Sequence, residues 1–337
     1  MLQQSHKRFI AIVTLLLVVF IAACGGGSGG GGTVASGGIG GTGVTSGTVT
    51  GFGSVFVNGI EFETDGARLD VDDEISESQG FDDDGPLGIG MVVTVIGTVN
   101  ADGVSGTADT IEYDDDVEGP LTDERDDGNP DTRTFDIFNI TVVVDRNTTE
   151  FAETDFDDLV ENDLLEVSGF FDTDDKLLAT RVEWKGVLVE GVSVVEIKGE
   201  VSGFDDDTDT FMLVGLDGIV ITFDNATEFE DLPDTVADGQ FVEVKGTLIN
   251  ATSILASRIE REDEGFSDDV EQISIEGLVT DFKDVSSFKV AGQRVNASKA
   301  TFEPSSLENS IADGDKVDVE GTIVDGILKA KEVEFED

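Results

Sequence analysis

Aspartate-rich loops hold most of the side chains in this chain that could do chemistry. Residues 203–211 read GFDDDTDTF, residues 80–86 GFDDDGP, residues 123–131 DERDDGNPD and residues 172–175 DTDD. The chemistry they suit is calcium binding, because this hard cation takes six to eight oxygen ligands and such loops supply them. Asp205, Asp207 and Asp209 alternate, as do Asp127, Asn129 and Asp131, and Asp82 and Asp84 make a shorter pair. None of these is an EF-hand loop: the sixth position is Thr210 or Thr132 rather than glycine, and no glutamate closes the loop. Asp114, Asp116 and Glu118 followed by Gly119 come nearer, but the twelfth position is Arg125. The clusters also stand at non-equivalent places along the chain. Solvated hairpin tips therefore compete with low-affinity calcium sites as their reading. No cofactor is required, and Ca2+ is the one candidate. Trp184 and Tyr113 share one place at the end of a strand, where an aromatic ring either stacks on a sugar or packs into an interface.

Nucleophilic catalysis finds little to work with. The one histidine, His6, and the one cysteine, Cys24, both lie in the first 24 residues. Beyond them no Ser-His-Asp, Cys-His or histidine-based metal site can be built. Paired carboxylates always occur among 73 acids, but they need a cleft, and the small repeated units described below offer little room for one. An enzyme is not expected.

Cys24 has a different chemistry. Lys7 and Arg8 precede an apolar run from Phe9 to Phe20, too short to span a bilayer, and small residues lead to Ile21-Ala22-Ala23-Cys24. This ending resembles the lipobox of bacterial lipoproteins. The resemblance implies cleavage before Cys24 and acylation of its thiol, with the membrane as a partner through the lipid. Gly25 rather than Asp follows, which in Gram-negative lipoproteins implies sorting to the outer membrane. The chain would then face the periplasm or the cell surface.

With 20 basic and 73 acidic residues the net charge is −53. Such a surface repels phosphate backbones and anionic headgroups, so no nucleic-acid partner is expected. Yet 39% of residues are hydrophobic and 22 are Phe, so the chain lacks the low hydrophobicity of a disordered one. The acid excess also fits a saline habitat. Asn139, Asn147, Asn225, Asn250 and Asn296 begin Asn-x-Ser/Thr triplets, read as turns rather than glycan sites in a bacterial chain.

Four repeats must position these groups. Each opens on a strand with one glycine (Gly47, Gly119, Gly199, Gly277) and later carries a strand with another (Gly97, Gly169, Gly246, Gly321). Each closes on Ala-x-x-Ile/Val-Glu, at Ala108, Ala179, Ala256 and Ala330. Val242 and Val244 alternate with Glu243 and Lys245, and Val317 and Val319 with Asp318 and Glu320, the period of a half-buried strand. A glycine recurring inside a strand marks a bulge or corner. The last two strands form a hairpin, and a Leu-containing stretch before the first of them makes a helical turn. Phe151, Phe229 and Phe302 are core anchors, with Leu69 near the matching place in the first repeat.

The repeated Gly-x-Val/Leu-Thr, Leu-x-x-Gly-x-x-Val-x-Val-x-Gly and Ala-x-x-Ile/Val-Glu pattern resembles the domain of unknown function 5666 family, most clearly at Gly239 to Gly246 and Gly314 to Gly321. The second repeat departs, with Asn162 at the first glycine of that motif. The resemblance spans roughly residues 47–336. It implies small barrels similar to oligonucleotide/oligosaccharide-binding folds, and no activity. The expected fold is all-β, a tandem array of four small OB-like β-barrels after a disordered Gly-rich tether. The segments are a signal peptide over 1–23, Cys24 and tether over 24–46, and repeats over 47–116, 117–186, 187–264 and 265–337. Short joints imply a semi-rigid rod. The expected role is a non-enzymatic, lipid-anchored envelope protein for structural or adhesive display. Alternatives are a calcium- or polysaccharide-binding surface module and an accessory subunit of an envelope complex, with an envelope protein or polysaccharide as partner.

Overall fold

Alternating apolar and polar residues become strands here because successive side chains point to opposite faces, one toward a core and one away. The computed structural model describes residues 41–72, 74–78, 85–125, 128–216, 218–262, 266 and 272–336. The signal segment, Cys24, residues 24–40 of the tether, Asp82, Asp84 and Asp127 lie outside the described residues.

The first repeat runs β1 (Gly41–Gly51), β2 (Val55–Val57), β3 (Ile60–Glu63), β4 (Arg68–Val71), β5 (Glu74–Glu77), β6 (Val92–Val99) and β7 (Ser105–Tyr113). The second runs β8 (Val117–Pro120), β9 (Thr122–Arg125), β10 (Thr132–Ile137), β11 (Ile140–Asp145), β12 (Glu150–Ala152), β13 (Asp163–Phe171) and β14 (Leu177–Val187). The third has β15 (Val194–Asp205), β16 (Thr210–Leu213), β17 (Val220–Thr222), β18 (Glu228–Glu230), β19 (Phe241–Asn250) and β20 (Ser253–Arg261). The fourth has β21 (Ile273–Asp284), β22 (Ser287–Val290), β23 (Gln293–Asn296), β24 (Thr301–Glu303), β25 (Lys316–Val324) and β26 (Ile327–Phe335). A 3-10 turn, Leu307–Asn309, precedes β25.

Each repeat closes into a small five-stranded barrel. In the fourth, β21 pairs with β22 and β25, β22 with β23, β25 with β26, and the parallel pairing of β23 with β26 shuts the ring. The others repeat this order, the second with its opening strand divided into β8 and β9. One short strand per repeat runs parallel to the last strand. It sets Leu69, Phe151, Phe229 and Phe302 beside Ile111, Val182, Ile259 and Val333, so the first repeat fills the anchor place with leucine.

The recurring glycine is a corner in all four barrels. The hairpin register shifts at Gly97, Gly169, Gly246 and Gly321. A Cβ there would stand 2.2–2.5 Å from a carbonyl oxygen of the partner strand, so only glycine lets the two backbones come so close.

The barrels do not line up in chain order. β1 runs parallel to β21, with Val44 opposite Ile273 and Ser46 opposite Ile275, joining the first repeat to the fourth. β8 runs antiparallel to β15, with Val117 opposite Ile197, joining the second to the third. The cores of repeats two and three merge into one apolar cluster, while repeats one and four keep their own. The described residues form one compact unit. The expected rod is thus corrected: opening strands are free on one edge, and two such edges pair rather than stay exposed. The tether is shorter than expected as well. β1 starts at Gly41, six residues inside the Gly-rich stretch, because β6 and β21 take up its backbone hydrogen bonds on both sides.

Candidate functional site

Pairing of β8 with both β13 and β15 makes one sheet run unbroken from β14 through β13, β8, β15 and β19 to β20. One row across it is charged at every strand: Glu183, Glu166, Glu118, Glu196, Lys245 and Arg258 stand directly opposite one another in turn. The neighbouring row, Val167, Val117, Ile197 and Val244, faces the barrel interiors. The charged row therefore points outward and would be wet on a lone barrel. Here Glu166 and Glu196 are 3% and 2% exposed, and Glu118 is buried beside them.

The first repeat supplies part of the cover. The Tyr113 hydroxyl, at the end of β7, donates to Glu166 Oε1 at 2.9 Å. The Lys245 ammonium donates to the backbone oxygen of Asp72, which follows β4, at 3.4 Å. Asp115, in the short joint between the first two repeats, is 1% exposed. One carboxylate oxygen from each of Asp72, Asp115 and Glu166 lies within 4.8 Å of the other two.

Like charges directly opposite one another repel, and burial deepens the cost. Lysines offset part of it. Lys185 Nζ lies 2.7 Å from Glu166 Oε2 and 3.7 Å from Glu183 Oε1. Lys245 Nζ lies 2.9 Å from Glu196 Oε2, and Lys198 Nζ 3.1 Å from Glu243 Oε2. The remainder appears as carboxyls that hold their protons more tightly than a free carboxyl does. Burial, then the charge of Glu243, pushes Glu196 up to about 8 despite Lys245. Burial raises Glu118 to about 7, with Lys185 pulling it down and Glu166 pushing it up. Asp72 rises to about 7 through burial and the Glu166 charge. Asp115 is driven well above the carboxylate range by burial, Glu196 and Glu166. Asp116 reaches about 6 by burial, against the pull of Lys198 and of the Gly169 N–H that donates to it.

The joint between repeats four and one has a related design. Glu276 accepts from the Thr48 N–H at 2.7 Å and from the Thr48 hydroxyl at 3.0 Å, and Lys316 pairs with the same carboxylate. The Asn58 amide donates to Ser46 O and Ser274 Oγ, and the Ser274 hydroxyl donates to Asp318. Between repeats one and two, the Thr180 hydroxyl donates to Gly90 O at 2.6 Å, and the Val92 N–H to Ser168 Oγ at 2.9 Å.

The loops singled out by sequence lie elsewhere. Asp205, Asp206 and Asp207 bring oxygens together at the exposed tip between β15 and β16, a group that does not include Asp209. Asp205 Oδ1 accepts from the Asp207 N–H at 2.9 Å, an ordinary Asx turn. Asn129 and Asp131 are exposed on the loop before β10, where Asn129 Oδ1 accepts from the Asp131 N–H. Trp184 is partly exposed, and its indole N–H donates to Asp163 Oδ1 at 3.0 Å. Tyr113 is 1% exposed, which corrects its reading as a sugar-stacking ring: both faces are covered. The carboxylate row escaped the sequence reading because an acid alternating with valine looks like a wetted strand face. The available signal was an acid in the same place of three repeats, Glu166, Glu243 and Asp318.

No curated protein matches the chain. Among solved structures, a multidomain protein with nucleic acid binding domains from Streptococcus pneumoniae TIGR4 aligns at 13% identity. That alignment covers 66% of this chain and 72% of the other, with a TM-score of 0.15. A family model described as Domain of unknown function (DUF5666) matches residues 118–183, 198–260 and 276–334. Those matches span the second, third and fourth barrels and more than half of the chain, which therefore belongs to the DUF5666 family.

Proposed function

We propose that the chain is a non-enzymatic structural module of a bacterial envelope, held to the membrane by lipid on Cys24 and used for display or adhesion. The observation that carries the reading is the cross-pairing of its barrels, β1 with β21 and β8 with β15. A chain whose last repeat pairs with its first, while the middle two share a core, is tied into one block by its own strands. Such a block resists opening by local fraying and suits a scaffold. The sequence from Cys24 to Gly40 supplies the stem, and the acid excess keeps the exterior soluble. Radiolabelled palmitate tests the anchor: it should enter the wild type and not Cys24→Ser, and equal labelling of both refutes acylation at Cys24.

A polysaccharide-binding reading stands second, on a groove between repeats two and three. This cleft of about 570 Å³ is lined by Asn139, Ile140, Phe171, Lys198 and Phe241 among others, and Phe171 is 42% exposed. A half-exposed ring beside amide and ammonium groups is what a sugar face meets in a binding cleft. Saturable binding of envelope glycans, lost in Phe171→Ala, would promote this reading. Recovery of a stoichiometric envelope protein with the chain would instead make it an accessory subunit.

A further inference from the structure

We infer that Asp72, Asp115 and Glu166 form a buried divalent-cation site, suited to calcium, that clamps the first repeat onto the second. Three features meet there. The donors are all carboxylate oxygens, the choice of a hard cation rather than of zinc or copper. Their mutual spacing, within 4.8 Å, fits oxygens around one ion, since two ligands at about 2.4 Å on opposite sides of calcium stand about 4.8 Å apart. Asp115, though 1% exposed, has Oδ1 buried with no hydrogen-bond donor, and so has Asp72 at its own Oδ1. Two buried acceptors without donors, beside a third carboxylate, are an arrangement that an ion completes and a solvent-free protein interior otherwise penalises.

Charge argues for a divalent ion. Once the ion has displaced their protons, the three carboxylates bring three negative charges, and Lys185 on Glu166 returns one. A doubly charged cation closes the difference. Glu166 is already steered for the task, with Tyr113 donating to Oε1 and Lys185 to Oε2, which leaves further lone pairs on each oxygen. Water fills the rest of the coordination shell, as calcium permits. The exposed Asp205–Asp207 tip has no such unpartnered buried acceptor and serves as the internal control.

Terbium luminescence tests the site on the full chain, because Tb3+ replaces calcium and is excited through a neighbouring aromatic ring. Tyr113, the single tyrosine, donates to a proposed ligand. In a Trp184→Phe background stripped with EDTA, tyrosine excitation should give terbium emission that saturates at one equivalent and is displaced by calcium. Asp72→Asn should weaken it at least tenfold. Asp72 sits at φ 47°, where asparagine is at ease, so this variant keeps the turn. Asp115→Asn should weaken it likewise, and Asp207→Asn should leave it unchanged. Calcium should also raise the melting temperature of the wild type and not of Asp72→Asn. Emission that never saturates, that Asp72→Asn leaves intact, or that Asp207→Asn alone removes would overturn the proposal. So would a wild type whose melting temperature ignores calcium.

Discussion

Replacing Gly97 by alanine should break the corner of the first barrel, and the geometry sets the size of the effect. A Cβ at Gly97 would lie 2.2 Å from Thr107 O, 3.0 Å from Ala108 Cα and 3.1 Å from Thr107 C. All three atoms are backbone, so no side chain can rotate aside. To reach ordinary contact the partner strand must retreat by about 1 Å, at the point where Gly97 faces Ala108 and Thr98 faces Thr107. Overpacking costs about 1–3 kcal/mol, and one ladder hydrogen bond lost with it adds about 1 kcal/mol. Alanine returns up to about 1 kcal/mol by narrowing the unfolded ensemble. The net loss is about 1–4 kcal/mol, or a fall of about 2–6 °C in melting temperature for a unit of this size. Gly51→Ala is the control. It sits in β1 of the same barrel, where a Cβ meets nothing nearer than the Phe56 ring at 3.5 Å, and it should be neutral or slightly stabilising. Urea unfolding of both variants, followed by circular dichroism, reads the difference. Equal stability of the two would refute the claim that backbone approach is what makes this glycine necessary.

The carboxylate row fixes a pH dependence. Glu118 has a higher pKa folded, about 7, than its ordinary 4.5, so the folded chain holds the proton more tightly. Its contribution is fully present below the unfolded value and is lost as pH rises through about 7, and Glu196 and Asp72 act in the same direction. In EDTA the protein should therefore unfold more readily at pH 8 than at pH 5. Glu118→Gln should gain about 1–3 kcal/mol on the wild type at pH 8 and little at pH 5, by calorimetry; a gain independent of pH would contradict the assignment. Tyr113→Phe strips a donor from buried Glu166 and should cost about 1.5–3 kcal/mol in urea, and no loss would mean the hydroxyl bond is idle. Small-angle scattering of a chain starting at Gly37 should give a radius of gyration of about 19 Å, as for a compact body of about 300 residues; a much larger value would restore the rod.

Much of the fold was legible in the chain. The valine alternation around Glu243 and Asp318 gave the strands, and four glycines at one place gave four corners, because local backbone sterics act wherever the residue stands. Leu69 could be matched to Phe151, Phe229 and Phe302 for the same reason. The candidate site was not legible. Glu166 and Glu196 do not stand out in the chain, and Glu118 does so only in a run that comes near an EF-hand loop, since a strand's outward face is water until something docks on it. Tyr113 and Trp184 hold equivalent places, yet one is covered and the other partly open, a difference that no spacing records.

Sequence alone determined the barrel, its corners, its repeat number and its acid excess, since each depends on contacts within about 75 residues or on composition. Tertiary structure decided which barrel meets which. Pairing β1 with β21 and β8 with β15 depends on strand edges that are about 230 and 80 residues apart in the chain. Those choices bury a row of charges that the sequence presents as surface, and the contact of the first repeat with the second sets Asp72, Asp115 and Glu166 face to face.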